Sequence, residues 1–187
     1  MKIYVLWIVL LYGIARVLET FWTRKKIKGK IIAAYTLHLL IACHAAVFLA
    51  TVWDWALGNE RQNLTWQFYL GVLLILIATV GRNWSIRTLG VYHSIQIEIR
   101  SNHPLITDGP YRYLRNPYYL SNALEVVGLP LMANSQLGVI LAIALYWPAL
   151  ALRIVLEEGA LQQAIKGSFS EYKLKTPRLL PRLGEVT

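Results

Sequence analysis

Five apolar stretches, at about residues 3–22, 31–53, 66–82, 118–133 and 137–156, alternate with short polar, turn-rich segments. A helix needs about 20 apolar residues to cross the ~30 Å hydrocarbon core of a bilayer, and these runs approach that length. Their interruptions are informative. Arg16 and Glu19 in the first run lie three apart on one helical face, so they can pair with each other or with a neighbouring span. Glu125, Gly128 and Pro130 fall in the fourth run and Pro148 in the fifth. Charged or helix-breaking residues inside a span face protein or a cavity instead of lipid. The pattern predicts an all-α polytopic membrane protein with about five transmembrane helices. No repeat, low-complexity segment or boundary divides the chain. Residues 1–187 are therefore read as one integral membrane domain, with spans over 1–82 and a loop, helical hairpin and tail over 83–187. The tail segment EEGALQQAIKGSFSEYKLK, residues 157–175, is amphipathic. It predicts a helix with a break near Gly167, lying on the membrane surface or folded back on the loop.

Composition strengthens the membrane reading. Apolar residues make up 56% of the 187 and charged residues only 16%, with a mean hydropathy of +0.44. A soluble domain of this size carries more charge. Seven Trp and eleven Tyr suit the membrane interfaces, where a ring is half buried and half wet. The single cysteine, Cys43, excludes an intrachain disulfide and a Cys-rich zinc site, and is expected as a small buried hydrophobe. The opening MKIYVLWIVLLYGIARVLETFW lacks a small-x-small cleavage site and is read as a retained first span. The closing LGEVT holds no lipidation box.

The net charge of +9 is distributed in alternate segments. RKKIKGK after the first run holds five basic residues, whereas DWALGNERQNLT after the second holds only Arg61. Arg82, Arg87, Arg100, Arg112 and Arg115 follow the third run, and MANSQ after the fourth is neutral. Lys166, Lys173, Lys175, Arg178 and Arg182 follow the fifth. Basic segments stay in the cytoplasm. The N-terminus is therefore expected outside, with 24–30, 83–117 and 157–187 in the cytoplasm near anionic head groups. The basic residues flank spans instead of forming one stripe with stacking aromatics, so no nucleic-acid partner is expected.

Two polar clusters fall on that cytoplasmic side. In the first, TDGPY and RNP fix bends, because Asp108, Gly109 and Pro110 stop a helix and Pro117 pushes Asn116 out of helical geometry. An ordered loop over 93–119 follows, with backbone groups, His103, Tyr111, Arg115, Asn116 and Tyr119 available to a polar ligand. The alternative is an interfacial loop that only touches head groups. In the second, LRIVLEEGAL, Arg153 and Glu157 are four apart on one face and Glu158 points about a third of a turn away. They form either a helix-end ion pair or part of a site. His38 and His44, six apart, lie on different helix faces and do not make a haem site in one chain. Metalloprotease, dinucleotide-fingerprint, P-loop and Ser-nucleophile motifs are absent, and no metal is expected.

Together the clusters resemble the isoprenylcysteine carboxyl methyltransferases, integral membrane enzymes that use S-adenosylmethionine. HPLITDGPYRYLRNPYY, then RIVLEE, then SEYKLKTPRLLPRL follow the family's order over roughly residues 80–182. The resemblance implies a cytoplasmic cofactor pocket formed by the loop and a C-terminal helix. It implies S-adenosyl-L-methionine held by Gln96, His103, Pro104, Leu105, Ile106, Tyr111, Asn116, Pro117, Tyr118, Tyr119 and Glu157, with Arg153 catalytic and facing the substrate. It implies a lipid or prenylated substrate in the membrane, most like an isoprenylcysteine. The sequence carries no signal of oligomeric state. Asn116 replaces the family's usual His, Ser121 stands where Gly is common, and AIKGSFSEY fits the tail pattern loosely. No residue set selects a prenyl-cysteine acid over a phospholipid amine or an alkyl phenol. A membrane NADPH-dependent reductase of sterol-reductase type also carries an Arg-His-Pro-x-Tyr-like segment, but Arg153, Glu157 and Glu158 favour the methyltransferase. A non-enzymatic scaffold whose loop only binds head groups is the third alternative.

Overall fold

Inside hydrocarbon a chain must satisfy its own backbone groups, and long apolar runs do so as helices. A computed structural model describes residues 2–21, 27–57, 65–100 and 104–180. Helix α1 covers Lys2–Phe21, α2 Tyr35–Leu57, α3 Trp66–Leu89 and α4 Pro117–Met132. The last run is one continuous rod of α5 (Gln136–Leu141), a π-helical segment (Ala142–Tyr146) and α6 (Trp147–Ala164). Pro148 explains the wide turn, because its missing N–H deprives the preceding turn of a donor. Helix α7, Lys166–Lys175, starts after a break at Ile165, two residues before the expected Gly167. Among the described residues, Tyr35–Leu57, Trp66–Tyr92 and Gln136–Ala164 are long and apolar enough to cross a membrane. With 16 residues, α4 is about 24 Å long and is buried along most of its length.

The all-α expectation needs one amendment. Lys30–Ile32 (β1) and Ile97–Ile99 (β2) pair antiparallel, Lys30 opposite Ile99 and Ile32 opposite Ile97. The second apolar run thus begins as a strand, and α2 starts only after Ala33, whose φ is 49°. Gly29 lets the strands approach: a Cβ there would stand 2.5 Å from the Ile99 carbonyl oxygen.

Helices α3 and α4 pack antiparallel through small residues. A Cβ on Gly71 would lie 2.6 Å from the Gly128 carbonyl oxygen, and one on Gly81 2.7 Å from Ser121 Oγ. Close backbone approach of this kind is how helices associate in lipid, where burial of apolar surface gives no drive. Helix α3 continues past Arg82, the expected end of the third run, because Arg82 turns inward and is 2% exposed. It pairs with Glu125 of α4 and, at 3.0 Å, with Glu19 of α1. Arg16 of α1 completes the cluster, 2.5 Å from Glu125 and 2.9 Å from Glu19. Two cations and two anions cancel, and the cluster fastens α1 to α3 and α4. A second, apolar core joins α2, α4 and α6 through Leu40, Cys43, Val47, Ala123, Val126, Leu150 and Ile154. Cys43 is buried there, as expected.

Candidate active site

The polar loop is fixed by its two turns. Asp108 is extended, Gly109 has φ 56°, and Pro110 opens a 3-10 turn over Gly109–Arg112. A Cβ on Gly109 would stand 2.6 Å from Thr88 Oγ1, so the turn sits hard against the end of α3. Asn116 and Pro117 then start α4, which carries Tyr118 and Tyr119. From the other side α6 presents Arg153, Glu157 and Glu158, and α7 folds back onto the loop. Tyr172 of α7 donates its hydroxyl to the Tyr111 carbonyl at 2.5 Å. Beyond α7 the chain pairs with the loop, Arg115 N–H to the Pro177 carbonyl at 2.9 Å and Asn116 N–H to that of Arg178 at 3.2 Å.

These segments enclose one cleft of ≈ 890 Å³, counting its open mouth. Of the residues expected at a cofactor, Gln96, Pro104, Leu105, Ile106, Tyr111, Asn116, Tyr118, Tyr119 and Glu157 line it. Pro117 does not, being buried at the first turn of α4. His103 lies outside the described residues. Arg153 stands behind the wall, 3% exposed. Its Nε donates to Tyr119 OH at 2.8 Å, Nη1 to Thr36 Oγ1 at 2.9 Å and Nη2 to the Ile95 carbonyl at 2.6 Å. The Tyr119 hydroxyl in turn donates to Glu157. Arg153 and Glu157 share a face, as their spacing requires, but Tyr119 bridges them. Glu158, a third of a turn away, serves a different group. It accepts from Asn116 Nδ2 at 2.9 Å and from Arg178 Nη2 at 2.9 Å, with Arg115 Nε at 3.4 Å. It locks the tail to the RNP turn, and Nδ2 of Asn116 serves that lock.

Burial raises the Tyr111 phenol above its usual range, the Glu157 charge adds to this, and Ser85 partly offsets it. Burial likewise raises Tyr172, opposed by Arg115. Both stay protonated donors at neutral pH. The cleft thus offers two carboxylates, Glu98 and Glu157, the arginines Arg100 and Arg115, tyrosine ring edges, and an apolar wall of Leu89, Leu105, Ile106 and Leu161. That set fits an elongated ligand with a cationic centre and a planar base. Sequence reasoning missed Thr36, Leu161, Phe169 and Tyr172. The last two, three apart and both buried on α7, carry a one-face aromatic signal within AIKGSFSEY. Thr36 carries no comparable signal.

Comparison with known proteins gives a consistent picture. The family model described as isoprenylcysteine carboxyl methyltransferase (ICMT) matches residues 71–163. A cobalt-zinc-cadmium resistance protein of Cupriavidus metallidurans is 32% identical over 179 residues, 91% of this chain and 70% of that one. A probable protein-S-isoprenylcysteine O-methyltransferase of Oryza sativa subsp. indica is 31% identical over 124 residues, 65% of each chain. The solved structure of the eukaryotic intramembrane Ras methyltransferase ICMT superposes with a TM-score of 0.60 at 22% identity, covering 80% of this chain and 53% of that one. The chain therefore spans between about half and 70% of these relatives. Among the described residues, no three His, Cys, Asp or Glu group together as metal ligands.

Proposed function

The chain belongs to the isoprenylcysteine carboxyl methyltransferase family, and on that premise we propose that it methylates the free carboxylate of a prenylated, cysteine-type lipid acid from S-adenosyl-L-methionine. The observation that carries this reading is convergence. Segments 104–119 and 157–172, far apart in sequence, meet in one cleft with Glu157 in its lining. Glu157 is the charge complement of a sulfonium, and its oxygen is oriented by Tyr119. Tyr111 and Tyr118 offer ring faces, and Leu105 and Ile106 an apolar seat for a flat base. Asn116 lines the cleft too, and its Nδ2 holds Glu158 and the tail. When bound, the cofactor supplies a methyl group on cationic sulfur, and a carboxylate acceptor has no proton to lose. The work left to the protein is alignment and exclusion of water. Arg153 stands directly behind the cleft wall, bonded to the lining residue Tyr119. Its guanidinium has five N–H donors and three bonds among the described residues, which leaves donors to steer an anionic acceptor.

In this reading α1, α2, α3, α4 and the α5–α6 rod are five spans, with the N-terminus outside and the cleft facing the cytoplasm. The acceptor's prenyl chain stays in lipid and reaches the cleft sideways. A nicotinamide-dependent reductase is not favoured, since the family model, the Oryza sativa relative and the solved structure all carry the name of a methyltransferase. The test is transfer of tritiated methyl from S-adenosylmethionine to an S-farnesyl cysteine with a free carboxylate. The expected product is a methyl ester, whose label leaves as methanol in base. Base-stable label would mean nitrogen or phenol methylation, and no label on this acid would sink the proposed substrate.

A further inference from the structure

We propose that Thr36, at the start of α2, is a positioning residue for the cleft and acts on Glu157 through Arg153 and Tyr119. The residue lies outside the segment that the family model matches, 71–163. It is 1% exposed, and its Oγ1 donates to the Ala33 carbonyl at 2.8 Å. That carbonyl is an acceptor only, so the single hydroxyl hydrogen is committed and the oxygen lone pairs are left to accept from Arg153 Nη1. The same logic fixes the next link. A guanidinium only donates, so Tyr119 OH accepts from Arg153 Nε and must turn its own hydrogen toward Glu157. The chain of bonds has one polarity from Thr36 to the carboxylate. Tyr119 has no other way to satisfy both neighbours.

The start of α2 is built to hold this hydroxyl. Ala33, with φ 49°, sits in the left-handed region that non-glycine residues avoid, and its carbonyl takes both the Thr36 N–H at 3.0 Å and the Thr36 hydroxyl. The β1–β2 register fixes Ala33 relative to the 95–99 segment, and the Ile95 carbonyl of that segment holds Arg153 Nη2. Thr36 and the 95–99 segment therefore grip Arg153 at two of its three nitrogens. This inference rests on the cofactor reading above, and the experiment separates the two. S-Adenosylhomocysteine is titrated calorimetrically into detergent-purified wild type, Thr36→Val, Thr36→Ser, Tyr119→Phe and the Thr36→Val/Tyr119→Phe double variant. Thr36→Val, which keeps the shape and loses the hydroxyl, is expected to weaken binding about tenfold, and Thr36→Ser less than about twofold. On the Tyr119→Phe background Thr36→Val should cost less than about twofold more, because the chain is already cut. Equal weakening by Val and Ser, no weakening by Val, or losses that multiply in the double variant would overturn the proposal while leaving the cofactor reading intact. Failure of the wild type to bind would overturn both.

Discussion

At the scale of single residues the cleft depends on two acids with different duties. Glu157 lines it, whereas Glu158 ties Asn116 and Arg178 together behind it. Glu157→Gln removes the charge that meets a sulfonium and is expected to weaken S-adenosylhomocysteine binding by less than S-adenosylmethionine binding, since only the latter is cationic at sulfur. Competition binding measures both, and equal losses would contradict that role. Arg153→Ala cuts the same chain and should weaken cofactor binding by at least the about tenfold expected of Thr36→Val, while lowering turnover far more; the reverse pattern in steady-state kinetics would exchange the roles of Arg153 and Glu157. Tyr111 and Tyr172 hold their protons more tightly folded than unfolded. The stability they contribute is full below the ordinary phenol value of about 10 and is lost as pH rises beyond it. Thermal unfolding in detergent should show a melting temperature that falls above pH ~10, and less steeply in Tyr172→Phe. Much of this scale was legible in the sequence. RNP and its tyrosines, and the Arg153–Glu157 spacing, point to residues that do meet around one cleft. Thr36 was not legible, because IIAAYTLH reads like any apolar helix start and its partner Arg153 lies 117 positions away. The bridging place of Tyr119 was also hidden, since spacing on α6 says nothing of a side chain inserted from α4.

At the scale of elements, two kinds of glue hold the helices. Small residues let α3 and α4 touch backbone to backbone, and the four-charge cluster fastens α1 to both. Each acid in that cluster serves both arginines. Glu125→Ala leaves Arg16 and Arg82 sharing Glu19 alone, with excess positive charge in a buried place, and should cost about 3–5 kcal/mol. Unfolding of the purified protein in a denaturing detergent reads this directly, and a loss under about 1 kcal/mol would mean that water already solvates the cluster. The apolar runs announced the helices, and their internal charges announced inward faces, because both signals are local and periodic. The β1–β2 ribbon escaped notice because three-residue strands show no periodicity and their register comes from a distant partner. The run ends also moved: α3 and α6 continue to where Arg82 finds buried Glu125 and Glu158 finds buried Asn116.

Across the whole molecule, an apolar body carries a polar cleft at one end, and the ribbon and tail clasp that end from both halves of the chain. In the proposed topology the charge pattern orients that end toward the cytoplasm. Leu57 and Lys175 are both exposed, at the two opposite ends in this account. With a membrane-impermeant thiol reagent, Leu57→Cys should react in intact cells and Lys175→Cys only after permeabilisation. Reaction of Lys175→Cys in intact cells would invert the topology. The helical membrane character was readable at this scale from hydropathy, while the cofactor came from the motif resemblance and the acceptor chemistry is written nowhere in the composition. The most direct check on the central claim is calorimetric titration of the purified wild-type protein with S-adenosylhomocysteine, with NADPH run in parallel. Saturable binding of S-adenosylhomocysteine and none of NADPH is the expected result. Binding of NADPH alone, or of neither, would contradict the account.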